Sequence, residues 1–116
     1  MARGKTSSLP VLHIMLALSD GPRHGYAIKQ AVEQRTDGHI HLGPGTLYEA
    51  IQRLEDAGLI SETSPEDEER VDGQKAQRRY YELTERGWVS LRNELKSLGR
   101  LIDAARSNPR LKKSLA

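Results

Sequence analysis

Residues 43–63 constrain the fold most, because they spell a helix with a marked start and stop, followed at once by a strand. Gly43-Pro44-Gly45-Thr46 opens the unit, and Pro44 suits a first helical turn, where a missing N–H removes no intrahelical bond. Leu47, Ile51 and Leu54 follow at i, i+4 and i+7 and define one apolar stripe. Ala57-Gly58 closes the helix, with Gly58 free to take the left-handed conformation of a C-terminal cap. Leu59 to Thr63 then reads as a strand. Such a unit needs a second strand to pair with and other helices to cover its stripe.

Both are present. Leu9, Leu12, Met15, Leu16 and Leu18 recur at helical spacing after a Ser7 or Ser8 cap and stop at Ser19-Asp20-Gly21-Pro22. A second helix is expected from Gly25 to Arg35, with Tyr26, Ile28 and Val32 as its buried face, and Asp37-Gly38 ends it. His39-Ile40-His41-Leu42 alternates like a very short strand. Residues 64–77 are polar and turn-rich and read as a hairpin tip, from which Arg78 to Leu83 returns as the partner strand. Thr84 caps a last, long helix that ends near Ser107-Asn108-Pro109, and a basic tail is expected to fray. The expected fold class is mainly α with a small β-hairpin: a winged helix-turn-helix over residues 7–83, plus a C-terminal dimerisation helix over 84–107. Residues 1–6 and 108–116 read as disordered tails.

Composition narrows the function. The 116 residues are 36% hydrophobic and 29% charged, ordinary for a soluble domain with one modest core. The absence of cysteine removes disulfides, thiolate metal sites and cysteine nucleophiles, and fits a cytoplasmic location. No apolar run approaches a membrane span or a leader sequence. Net charge is only +2, and the acids concentrate in residues 62–72, so bulk charge does not announce a nucleic-acid partner. No nucleophile elbow, phosphate-binding Gly-Lys motif or metalloprotease His pair is present, so no enzyme and no cofactor is expected. Asp37, His39 and His41, with His24, are too weak a pattern to assign a metal.

Three segments, HGYAI at 24–28, GTLYEAIQRLEDAGLI at 45–60 and RRYYELTERGWVSL at 78–91, together resemble the hallmark segments of PadR-family transcriptional regulators. The resemblance spans residues 9–106 and matches the compact subgroup with a single C-terminal helix. It implies a cytoplasmic repressor that binds double-stranded DNA as a homodimer, on a pseudo-palindromic operator, and is released by a small-molecule effector. The residues support this independently. Gly45 and Thr46 lie at a helix N-terminus, which attracts phosphate, and Tyr48 adds a hydroxyl. Glu49, Gln52 and Arg53 avoid the apolar stripe and are candidates for reading base edges, unless Arg53 pairs with Glu49 instead. His24, Tyr26 and Lys29 stand where the helix before the recognition helix meets the backbone, and resemblance gives Tyr26 a phosphate contact. Lys75, Arg78 and Arg79 are the wing candidates, while Glu66 to Glu69 and Asp72 argue that the acidic tip stays out of the groove.

In the final helix Trp88, Leu91, Leu95, Leu98 and Ile102 are spaced 3, 4, 3, 4, a coiled-coil seam that a compact domain cannot fully cover. Leu91, Leu95, Leu98 and Ile102 are the expected dimer contacts, and resemblance agrees that this helix dimerises, aided by the first. Some compact relatives stack flat aromatic drugs on a tryptophan midway along the helix; here that position holds Leu98, which leaves the effector unassigned. The competing reading is a winged helix used as a protein-interaction module without DNA.

Overall fold

The computed structural model describes residues 8–64 and 79–115. Among these residues, five helices and three strands follow in the order α1 (Leu9–Leu18), β1 (Arg23–His24), α2 (Gly25–Arg35), α3 (Pro44–Asp56), β2 (Ile60–Thr63), β3 (Tyr80–Leu83), α4 (Glu85–Arg106) and α5 (Pro109–Ser114).

Helix α1 is the spine of the core. Ser8 caps it by accepting from the Val11 N–H, and Pro10 occupies its first turn. Val11, Leu12, Ile14, Met15, Ala17 and Leu18 are all buried, so most of its circumference is covered. Neighbours on several sides (α2, α4 and β3) explain why a one-stripe reading of α1 is incomplete. Leu9 is exposed and Leu16 half-buried, whereas Val11 and Ile14 join the core in their place.

The sheet has three strands, in the order β1-β3-β2, all antiparallel. Ile60 pairs with Leu83 and Thr63 with Tyr80, the register of a hairpin, and Tyr81 and Leu83 point into the core. The third strand carries no signal in the sequence. Arg23 and His24 pair with Tyr81 and Tyr80, and two residues are too few to show a period. Conversely, residues 39–42 form no strand. They alternate because Leu42 is buried while Thr36 anchors the loop: its hydroxyl accepts from the Ile40 N–H, and its carbonyl meets the His39 ring.

Glycine is required at one joint of this frame. Thr84 caps α4 by accepting from the Gly87 N–H, and its hydroxyl donates to the Gly58 carbonyl at 2.7 Å. That clamp presses the start of α4 onto the end of α3, and a Cβ on Gly87 would overlap the Leu59 carbonyl oxygen. Gly58 takes φ +77°, and Leu59 N–H closes back on the Leu54 carbonyl, as the Ala57-Gly58 stop predicts.

Helix α4 buries only Gly87 and Leu91, with Leu98 packed partly on the core. Its 22 residues run about 33 Å at 1.5 Å per residue, and the molecule measures 57 × 30 × 26 Å. The chain beyond it is helical where the sequence suggested fraying. Asn108 caps α5 by accepting from the Arg110 and Leu111 N–H groups, with Pro109 in the first turn. Asn-Pro therefore restarts a helix here instead of ending order.

Candidate nucleic-acid interface

Helices α2 and α3 meet closely at a glycine. A Cβ on Gly25 would overlap the Tyr48 hydroxyl, so the Tyr48 ring lies across the first turn of α2. This sets the approach of the two helices and leaves the outer face of Tyr48 exposed. Tyr26, one residue further along α2, is 60% exposed. Its expected place on the buried face is therefore corrected: Gly25, Ile28 and Val32 hold that face. Residues 25 and 32 share a helix side at seven-residue spacing, which Tyr26 does not.

The α3 N-terminus is open. Gly43 is the N-cap and offers no side-chain hydrogen bond, and Gly45 and Thr46 are exposed beside it. First-turn N–H groups with no intrahelical acceptor, at the positive end of the helix dipole, suit an oxyanion. Along the same helix Leu47, Ala50, Ile51 and Leu54 are buried, while Glu49, Gln52 and Arg53 are exposed. Glu49 and Arg53 form no ion pair among the described residues. Instead the Gln52 amide donates to Asp56 at 3.1 Å.

Other candidates are partly engaged by the protein itself. His24 caps α2 by accepting from the Ala27 N–H, and its ring meets Tyr80 edge-on at 5.3 Å. Lys29 pairs with Glu33 at 2.9 Å and lies 5.9 Å from the Tyr26 ring centroid. The Lys29 hydrogen bond chiefly holds the Glu33 carboxyl below the usual carboxylate range, opposed by desolvation and helped by the Lys29 and His41 charges. His41 joins the same carboxylate and ties the loop before α3 to α2. In the wing Arg79 is exposed, its Nε 3.9 Å from Glu62 across the hairpin. Lys75 and Arg78, like Glu66 to Glu69 and Asp72, lie outside the described residues. His39 and His41 are engaged separately, and among the described residues no group of three or more His, Cys, Asp or Glu side chains could hold a metal ion.

On α4 the expected seam divides. Leu91 is only 4% exposed and belongs to the core of the single chain. A 3-4 spacing cannot say which copy covers each position. Leu98 is half-buried, whereas Leu95, Leu101 and Ile102 are exposed. Leu101, at 63%, was not among the expected contacts; it flanks the stripe one residue before Ile102.

Three stacked helices, a hairpin packed at their edge and a capping third strand define a winged helix-turn-helix protein. The chain belongs to the transcriptional regulator PadR-like family, whose model matches residues 11–93. It is 43% identical over 88 residues to an uncharacterized 37.1 kDa protein in transposon TN4556 of Streptomyces fradiae. That match covers 76% of this chain but 22% of the relative, so the chain spans about a fifth of that protein's length. Among solved structures it is similar to a transcriptional regulator from Clostridium thermocellum, at TM-score 0.67 and 24% identity over 91% of each chain. It is also similar to a PadR family transcription regulator from Clostridium difficile, at TM-score 0.65 and 27% identity over 86% of this chain and 96% of that one. Among the described residues no helix is long and apolar enough to cross a membrane.

Proposed function

We propose that the protein is a sequence-specific repressor that binds double-stranded DNA as a homodimer and is released by a small-molecule effector. One observation carries this reading: the open α3 N-terminus at Gly43 to Thr46, continuous with an exposed Thr46, Glu49, Gln52 and Arg53 flank and bordered by the half-exposed Tyr48 and exposed Tyr26. Backbone amides and hydroxyls suit phosphate oxygens, while amide and guanidinium groups suit the major-groove edges of adenine and guanine. Gly45, Thr46, Tyr48 and Tyr26 position the helix, and Gln52, Arg53 and Glu49 read bases. The Gln52–Asp56 bond is exposed, and exchanges for one to a base edge. Lys29 and Arg79, with Lys75 and Arg78, supply backbone contacts, and His24 supports them as a cap.

Dimerisation runs through the exposed Leu95, Leu101 and Ile102, with Leu98 at the boundary between own core and partner. Two recognition helices then address half-sites one or two helical turns apart on a pseudo-palindrome. Selection of bound duplexes from a random pool, followed by footprinting, tests the reading. Recovery of a two-fold-related sequence with two protected half-sites is expected. Recovery of no sequence preference would favour the protein-interaction module instead.

A further inference from the structure

On the side of α2 away from Tyr26 and Lys29 lies a groove of about 390 Å³, lined by Arg23, Ala27, Gln30, Ala31, Gln34 and Arg35. Its two guanidiniums come from different elements and converge on a single carboxylate oxygen. Arg23 Nη2 lies 3.4 Å and Arg35 Nη2 3.6 Å from Oδ2 of Asp20. Both contacts are long for charge-assisted hydrogen bonds, and Asp20 itself is more than half exposed. Arg23 is also fixed from behind, because its Nε donates to the Ala17 carbonyl at 2.8 Å, while its Nη2 reaches Asp20. Of the acidic side chains nearby, Asp20 stands at the Arg23–Arg35 end of the groove without lining it, and Glu33 and Asp37 line the neighbouring groove beyond Gln30 and Gln34.

We propose that this groove binds the phosphate group of a small phosphate monoester. Two guanidiniums against one carboxylate leave one positive charge unmatched, and each fork keeps N–H donors that Asp20 does not use. A monoanion already occupies the shared point, through the Asp20 carboxylate. A dianion that displaces the exposed Asp20 carboxylate from the shared point matches both arginines, and a phosphate ester carries nearly two charges at neutral pH and three acceptor oxygens. Gln30 and Gln34 offer amides along one wall, and the Ala27 and Ala31 methyls leave the floor low enough for the ester group to lie along α2. The site requires neither DNA nor a second subunit.

Inorganic phosphate is the probe, titrated into the full chain at constant ionic strength with acetate as the monoanion control. Binding is followed by the Arg Nε–H resonances in NMR. The signals of Arg23 and Arg35 should shift saturably with phosphate and not with acetate. Arg35→Gln should weaken the affinity by about tenfold or more, because one of two charge-assisted contacts is lost. Asp20→Asn should tighten it several-fold, because the competing carboxylate is gone. A merely structural role for Asp20 cannot give that sign, and both substitutions leave the Arg23–Ala17 tie in place. Equal phosphate affinity in wild type, Arg35→Gln and Asp20→Asn would overturn the proposal. Loss of duplex affinity in Arg35→Gln without loss of phosphate affinity would do the same, because the charges would then serve the DNA backbone.

Discussion

Gly25 and Gly87 both sit where a Cβ would collide, but what it would hit differs. At Gly87 the obstacle is the Leu59 backbone carbonyl, inside the joint that Thr84 clamps. Gly87→Ala should therefore destabilise by about 2–3 kcal/mol, in the range of overpacked cores, as read by urea denaturation. At Gly25 the obstacle is the end of the Tyr48 side chain, which can swing outward. Gly25→Ala should cost about 1 kcal/mol or less of stability, yet weaken DNA binding by displacing Tyr48. Equal stability losses would mean that Tyr48 is as firmly held as backbone. Histidine 13 adds a pH dependence. Burial chiefly, and the Arg35 charge next, push its pKa below the ordinary value, so the folded state binds fewer protons than the unfolded one. That contribution is fully present above the ordinary histidine value near 6.5 and is lost as pH falls through it toward the lowered one. His13→Leu should flatten the thermal midpoint between pH 7.5 and 5.5. The Glu33 contribution has the same sign but a separate window, being lost only as pH falls below the ordinary carboxylate value.

The proposed DNA contacts of helix α3 separate positioning from reading. Tyr48→Phe removes the hydroxyl proposed to meet the DNA backbone and should weaken operator and random duplexes by similar factors. Gln52→Ala should cost about 1–3 kcal/mol on the operator and little on random DNA, as measured by anisotropy titration. Equal losses on both duplexes would show that Gln52 does not face bases. The elements themselves were readable wherever a residue type marks a helix end. Ser8, Gly43-Pro44, Gly58 and Thr84 place their boundaries nearly where the structure has them. What was not readable depends on tertiary neighbours. Strand β1 exists because β3 offers a free edge, and the alternation at 39–42 reports loop anchoring, not a ladder. Tyr26 is apolar by type but lies off the Ile28–Val32 side. Arg23 and Arg35 are twelve residues apart, and no motif links them; they meet at Asp20 and along one groove only in the folded chain.

At the scale of the whole molecule, the two kinds of leucine on α4 make dimerisation testable apart from folding. Leu95 and Ile102 are exposed in the single chain, so Leu95→Glu with Ile102→Glu should leave the helical content of each domain intact and yield monomers in sedimentation velocity. Leu91 belongs to its own core, and Leu91→Ala should instead destabilise the fold by about 2–5 kcal/mol. A wild type that stays monomeric at micromolar concentration would contradict the dimer. The central claim, that a double helix is the partner, rests on phosphate neutralisation by a surface of modest net charge. The direct measurement is the salt dependence of duplex affinity. Each phosphate neutralised by Lys or Arg contributes about −0.9 to the slope of log K against log salt concentration. Lys29, Arg53, Lys75, Arg78 and Arg79 are the candidate cations per subunit, with Arg3 and Lys5 as further candidates, and three to five in use would give a dimer a slope of roughly −5 to −9. A slope in that range is the predicted result; a slope near zero would contradict DNA as the partner.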